Sequence, residues 1–182
     1  MKPVLMIHEI REEMFDLPLE NYILTFDDGL YGHYCYYPKF AKISTEKIYF
    51  ISSGIICKGQ QNLLFPSSKE AHEKAFNGNF EDFMTVEQIQ ELMKDPLVSI
   101  GAHGHSHKDL DLFDKLFDKV RHIQSDTDQM IEWFEKTLSF KPTKFCYPYN
   151  NDLDQLYPTL LKKKGFTEFY GRSRIPIESL LK

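Results

Sequence analysis

The fold this sequence predicts is an α/β one, built on a largely parallel sheet or barrel. Three observations predict it. Short apolar runs alternate with segments of helical periodicity, the pattern of repeated strand–helix units. At 182 residues, 42% hydrophobic and 27% charged, the chain fits one domain with a core that needs no staples. The apolar runs also stop at polar residues able to do chemistry, and in such folds ligands collect at the carboxyl ends of strands. Residues 1–182 are read as a single domain.

Taken in order, Pro3–Ile7 reads as a buried strand ending at His8, and Tyr22–Phe26 as a second that stops at Asp27-Asp28. Tyr31–Ile43 suits a helix that Pro38 must break or kink. Lys47–Ile56 reads as a third strand. Residues 57–83 are irregular, with one short helix near Lys69–Ala75, and a connection this long is expected to form a rim over a site. Thr85 is a plausible N-cap for a helix to Lys94, with Val86, Ile89 and Met93 on one face. Leu97–Gly101 is a strand feeding a histidine cluster. Leu110–Leu138 reads as one long helix or two, Lys144–Tyr147 as a strand, Leu153–Lys164 as a helix and Phe166–Tyr170 as the last strand.

Composition excludes several function classes. Net charge is −5, and the one basic run, Lys162-Lys163-Lys164, precedes Gly165 at an expected helix end, where cations are favoured. Nucleic acid is therefore not an expected partner. Cys35, Cys57 and Cys146 have no metal spacing, and an odd count argues against a disulfide framework. No secretory apolar region and no membrane-length run is present, so a cytoplasmic, reduced protein is expected. Most of the ten Tyr and fifteen Phe belong to strands and helix faces, yet some could wall a sugar site, since rings stack on the apolar faces of pyranoses. No oligomeric state follows from the sequence.

Two runs carry the chemistry. Thr25-Phe26-Asp27-Asp28-Gly29 is an apolar strand ending in paired carboxylates, and His103-Gly104-His105-Ser106-His107 is a histidine-rich turn after another strand. Neighbours in a strand face opposite sides, so both aspartates can share one site only where the strand gives way to a loop at Gly29. His103 and His107, four apart, can aim at one point, whereas His105 falls between them. Two imidazoles, a carboxylate and an open position are how proteins prepare a divalent metal to activate water, with the second carboxylate left to move protons. The bland reading, an N-cap and a surface acid, does not explain the histidines. His8 and Pro148-Tyr149 also lie at strand ends. His33, His72 and His122 read as ordinary helix or loop residues.

The order TFDDG, IGAHGHSH, FCYPYN resembles the polysaccharide deacetylase family (NodB homology domain, carbohydrate esterase family 4). Phe83-Met84-Thr85 is similar as well, and Phe145-Cys146-Tyr147-Pro148-Tyr149 resembles the FAYPYG variant found in exopolysaccharide deacetylases. The resemblance spans at least residues 4–170. It implies an irregular (β/α) barrel and a metal-dependent hydrolase that removes an N-acetyl group from an amino sugar in a glycan or glycan precursor. It also implies Asp27 as general base, Asp28, His103 and His107 as metal ligands, and the Tyr149 backbone N–H as oxyanion donor. The donor set suits Zn²⁺, with Co²⁺, Ni²⁺ or Fe²⁺ compatible.

The departures are specific. The family's third motif often carries an arginine that orients the base; Lys144 and Cys146 stand nearby here, and Asn150 replaces the usual glycine. Many members place a general-acid histidine in a late Leu-x-His motif, but no histidine follows His122. Soon after Arg174-Ile175-Pro176-Ile177 the sequence stops. Either the barrel is minimal and lacks its last strand, or the acid comes from elsewhere, with His8 the candidate: Met6-Ile7-His8 resembles the first-strand Tyr-His of the exopolysaccharide branch. Two other readings stay open: hydrolysis of a non-sugar amide, and a weakened homologue that binds glycan without turnover.

Overall fold

The computed structural model describes residues 2–153 and 155–181. Met1 and Lys182, at the ends of the expected domain, and Asp154, within the helix expected over Leu153–Lys164, lie outside the described residues. Among the described residues seven strands form one sheet: β1 (Val4–Ile7), β2 (Ile23–Phe26), β3 (Lys47–Ile51), β4 (Val98–Ala102), β5 (Lys144–Cys146), β6 (Glu168–Tyr170) and β7 (Ile175–Pro176). Their order is β6-β5-β4-β3-β2-β1-β7, and every pairing is parallel. That is the cyclic order of a barrel, cut open between β6 and β7. The expected (β/α) barrel is thus present as a curled, incompletely closed one. A seventh strand, not anticipated from the sequence, pairs Leu5 with Ile175 and Met6 with Pro176.

The registers bring the strand ends level. Ile7 lies beside Phe26, Phe26 beside Tyr49, Ile51 beside Ala102, and Ala102 beside Phe145. Residues following these ends therefore share one rim. Strands β1 to β3 read as near-continuous apolar runs because helices and interior cover both faces; β3 is buried at all five positions. The core joins Leu5, Ile7, Phe26, Tyr49, Ile100 and Phe145 to residues of the surrounding helices, with Phe26 stacked on Tyr49 at 4.5 Å between centroids.

The helices are α1 (Tyr31–Cys35), α2 (Tyr37–Phe40), α3 (Ser68–Phe76), α4 (Val86–Leu92), α5 (Leu116–Trp133) and α6 (Leu156–Lys163). The break expected at Pro38 falls at Tyr36, so that Pro38 sits in the first turn of α2, where its missing N–H costs nothing. Helix α5 runs into a π-turn over Phe134–Leu138 and stops at Ser139, in the left-handed region at φ 62°. The third strand is shorter than Lys47–Ile56 because the chain turns at Ser52-Ser53-Gly54. There the Gly54 N–H donates to the His105 carbonyl at 2.8 Å, and a Cβ at Gly54 would lie 2.7 Å from that oxygen. No helix among the described residues is long and apolar enough to cross a membrane.

Candidate functional site

Four segments meet at the rim: His8 after β1, Asp27-Asp28 after β2, His103–His107 after β4 and Tyr147–Asn150 after β5. Helix α3, from the irregular connection, closes one side. Together they line a cavity of about 490 Å³, with the rings of Phe76 and Tyr149 in its walls. Both rings are about half exposed, at 58% and 48%. Seven described non-glycine residues have positive φ, and four of them line this cavity: Asp28 (76°), His107 (49°), Tyr149 (56°) and Asn150 (54°). Such strain persists where surrounding structure enforces it and concentrates at functional sites. Gly29, at φ 74° behind Asp28, lets the strand turn so that both aspartates face the cavity.

The Asp28 Oδ1, His103 Nε2 and His107 Nε2 atoms form a triangle with sides of 3.2 Å. A tetrahedral ion with bonds of about 2.0–2.1 Å would set its ligand atoms about 3.3 Å apart. Chemistry points the same way. The His103 Nδ1–H donates to the Cys146 carbonyl at 2.9 Å, which leaves Nε2 facing Asp28. Burial pushes the His103 pKa down, but Cys146 and the Asp28 and Asp27 carboxylates outweigh this and hold it well above the ordinary histidine value, so positive charge is favoured at this point. Burial lowers the His107 pKa to about 4, so this ring is neutral. Acceptors this close, all within a buried site, require a proton or a cation among them. The residues fit a divalent metal.

Asp27 occupies a different environment. It is buried and paired bidentately with Arg174, Nη1 to Oδ1 at 2.7 Å and Nη2 to Oδ2 at 2.8 Å. Burial pushes its pKa up, but the Arg174 charge and hydrogen bonds outweigh this and hold it below the ordinary carboxylate value. The Cys146 thiol donates to Asp27 Oδ2 at 3.4 Å, and Arg174 Nη2 also reaches Cys146 Sγ at 3.1 Å and Asn150 Oδ1 at 3.1 Å. His8 Nε2 stands 3.7 Å from Asp27 Oδ2 and is one-third exposed. Arg174, immediately before β7, thus stands beside the carboxylate in the place where the sequence offered only Lys144 and Cys146. Lys144 points elsewhere, to Glu46 and Glu168.

The structure brings His8, Asp27, Asp28, His103, His107 and Tyr149 to one cavity. His105 turns away: its Nδ1 meets Ser53 Oγ at 2.9 Å. Reading His72 as an ordinary residue is corrected, because α3 places it in the cavity 3.9 Å from Asp28 Oδ1 and stacks its ring on His107. Ser68, one turn earlier, donates to Asp28 Oδ2 at 2.6 Å. His33 is also more than a helix residue, since it is buried and its Nε2–H donates to the His8 carbonyl at 2.7 Å. Asp126 on α5 clamps the histidine turn, accepting from His105 N at 2.7 Å, Ser106 N at 2.9 Å and Ser106 Oγ at 2.6 Å. Gly104, at φ 77°, has no room for a Cβ beside that clamp without crowding Asp126 Oδ2 at 3.0 Å.

No curated protein sequence matches the chain. Solved structures do share its fold. IcaB from Ammonifex degensii superposes with a TM-score of 0.64 at 19% identity, over 94% of this chain and 71% of that one. The Streptococcus pyogenes deacetylase PplD, in complex with acetate, gives 0.64 at 15% identity, over 91% of this chain and 80% of that one. A polysaccharide deacetylase from Bacillus cereus gives 0.68 at 14% identity, over 96% of this chain and 64% of that one. The polysaccharide deacetylase family model matches residues 18–169, from just before β2 into β6, and so takes in both aspartates and the histidine turn. On that match the chain belongs to the polysaccharide deacetylase family.

Proposed function

We propose that this chain is a metal-dependent hydrolase that removes an N-acetyl group from an amino sugar in a glycan or glycan precursor. The observation that carries the reading is the juxtaposition of two unlike buried carboxylates. Asp28 belongs to a cluster of three ligand atoms fit for a cation, while Asp27, one residue earlier, is paired with Arg174. Asp28, His103 and His107 hold the ion, for which the donor set favours Zn²⁺. A divalent cation in such a site supplies Lewis acidity toward a carbonyl and lowers the pKa of water.

The remaining roles fall to this chain's own groups. Asp27 accepts the proton of the attacking water; Arg174 keeps it ionised and fixes its orientation. The Tyr149 backbone N–H, carried by strained left-handed backbone, is the donor for the developing oxyanion. His8, at the Asp27 edge of the cavity, delivers a proton to the leaving amine. The exposed rings of Phe76 and Tyr149 offer faces for a pyranose. Release of acetate from chito-oligomers and from nucleotide- or lipid-linked N-acetylated amino sugars tests the reading. Acetate and a free amine on at least one of these are expected. Turnover confined to non-sugar amides, or metal binding without any turnover, would refute it.

A further inference from the structure

We propose that His72 is a fourth protein ligand of the cation that Asp28, His103 and His107 would hold. The inference rests on the metal-centre reading above and extends it to a residue outside the two strand-end motifs.

The geometry of α3 argues for it. Ser67 caps the helix, accepting from the Glu70 N–H while Glu70 reaches back to the Ser67 N–H, which fixes the first turn. From that turn Ser68 donates to Asp28 Oδ2 at 2.6 Å, and from the next His72 faces Asp28 Oδ1 at 3.9 Å. The tautomer of His72 is set locally. Its Nδ1 lies 2.8 Å from the Ser68 carbonyl oxygen, which can only accept, so Nδ1 carries the hydrogen and Nε2 the lone pair. That Nε2 is buried, has no hydrogen-bond partner, and belongs to a side chain only 7% exposed. A buried acceptor left bare is costly, and one aimed at a carboxylate oxygen is repelled as well. A cation between the two relieves both penalties.

Distance and packing agree. The donor atoms of Asp28, His72 and His107 all lie within 4.8 Å of one another. The 3.9 Å separation exceeds a tetrahedral ligand edge by only about half an ångström, within reach of a small side-chain rotation. The ring is held for the purpose between His107, stacked at 4.1 Å, and Phe83, edge-on at 5.4 Å. Three imidazoles and one carboxylate would make a nitrogen-rich centre, which suits zinc, cobalt or nickel over magnesium or calcium, and the water of the proposed reaction would then take a fifth position on the ion.

X-ray absorption spectroscopy on the zinc-loaded full chain tests this by counting imidazoles. Three are expected in the unsubstituted protein and two in His72→Phe, which keeps a ring against His107 but removes the nitrogen. Zinc affinity in His72→Phe should fall by more than the roughly 10–100-fold that loss of an indirect support costs. Two imidazoles in the unsubstituted protein would overturn the assignment of His72 and leave the three-donor site standing, whether or not the variant folds. Failure of the unsubstituted protein to take up one equivalent of zinc would remove the metal-centre reading itself.

Discussion

Replacing Arg174 with Met should destabilise the protein in a way that depends on pH with a definite sign. Arg174 and Asp27 are 5% and 1% exposed, and two hydrogen bonds of 2.7 and 2.8 Å join them. Without the guanidinium, the carboxyl is left buried without its counter-charge and folds best by taking up a proton. At pH 7 that costs about 4 kcal/mol for a group with an ordinary pKa of about 3.9, and at pH 5 about 1.5 kcal/mol. The pH 7 figure agrees with the roughly 3–5 kcal/mol lost when one partner of a buried pair is removed. In the unsubstituted protein the folded-state pKa of Asp27 is lowered. Its stabilisation is therefore fully present above the ordinary value and lost only as pH falls through the lowered one. Between pH 5 and 7 that contribution is flat, so the penalty of Arg174→Met should shrink by about 2.7 kcal/mol on going from pH 7 to pH 5. Urea unfolding of both proteins at the two pH values, with chelator present, measures it. A penalty under about 1 kcal/mol, or one equal at both pH values, would refute the argument.

Asp27→Asn should retain the metal and lose about 10²–10⁴-fold in turnover, since the amide cannot accept a proton; metal loss in this variant would mean the two aspartates are assigned in the wrong order. His8→Gln should lower turnover with the metal site intact and flatten the alkaline limb of the pH–rate profile, so normal kinetics would dismiss it as the acid. Asp126→Ala releases three hydrogen bonds that hold the histidine turn. Zinc affinity, measured against a competing chelator, should drop about 10–100-fold, and an unchanged affinity would show that the turn holds its own shape.

The parts legible in the sequence were those written locally. Each apolar run ending at His8, Asp27 or His103 became a strand, because burial on both faces leaves a continuous apolar signature. The clusters at those ends announced themselves by density: two acids in a row, three histidines in five residues. What stayed hidden depends on long-range packing. Arg174 is 147 residues from Asp27 in sequence, and its strand β7 is only two residues long, too short for any periodic signal. His72 sits alone on a polar helix with no histidine three or four positions away, so only the way α3 folds over the rim shows its direction. Gly54 was legible as punctuation, but the strand's early end at Ile51 follows from contact with the His105 carbonyl, which the sequence does not express.

Asp28, His103 and His107 would hold one divalent ion between them, and the nearby His105 would take no part. Bound zinc per chain, measured in the unsubstituted protein and in Asp28→Ala, His103→Ala, His107→Ala and His105→Ala, tests it directly. One equivalent is expected in the unsubstituted protein and in His105→Ala, with occupancy lost in the other three. Full occupancy in either His103→Ala or His107→Ala would contradict the claim.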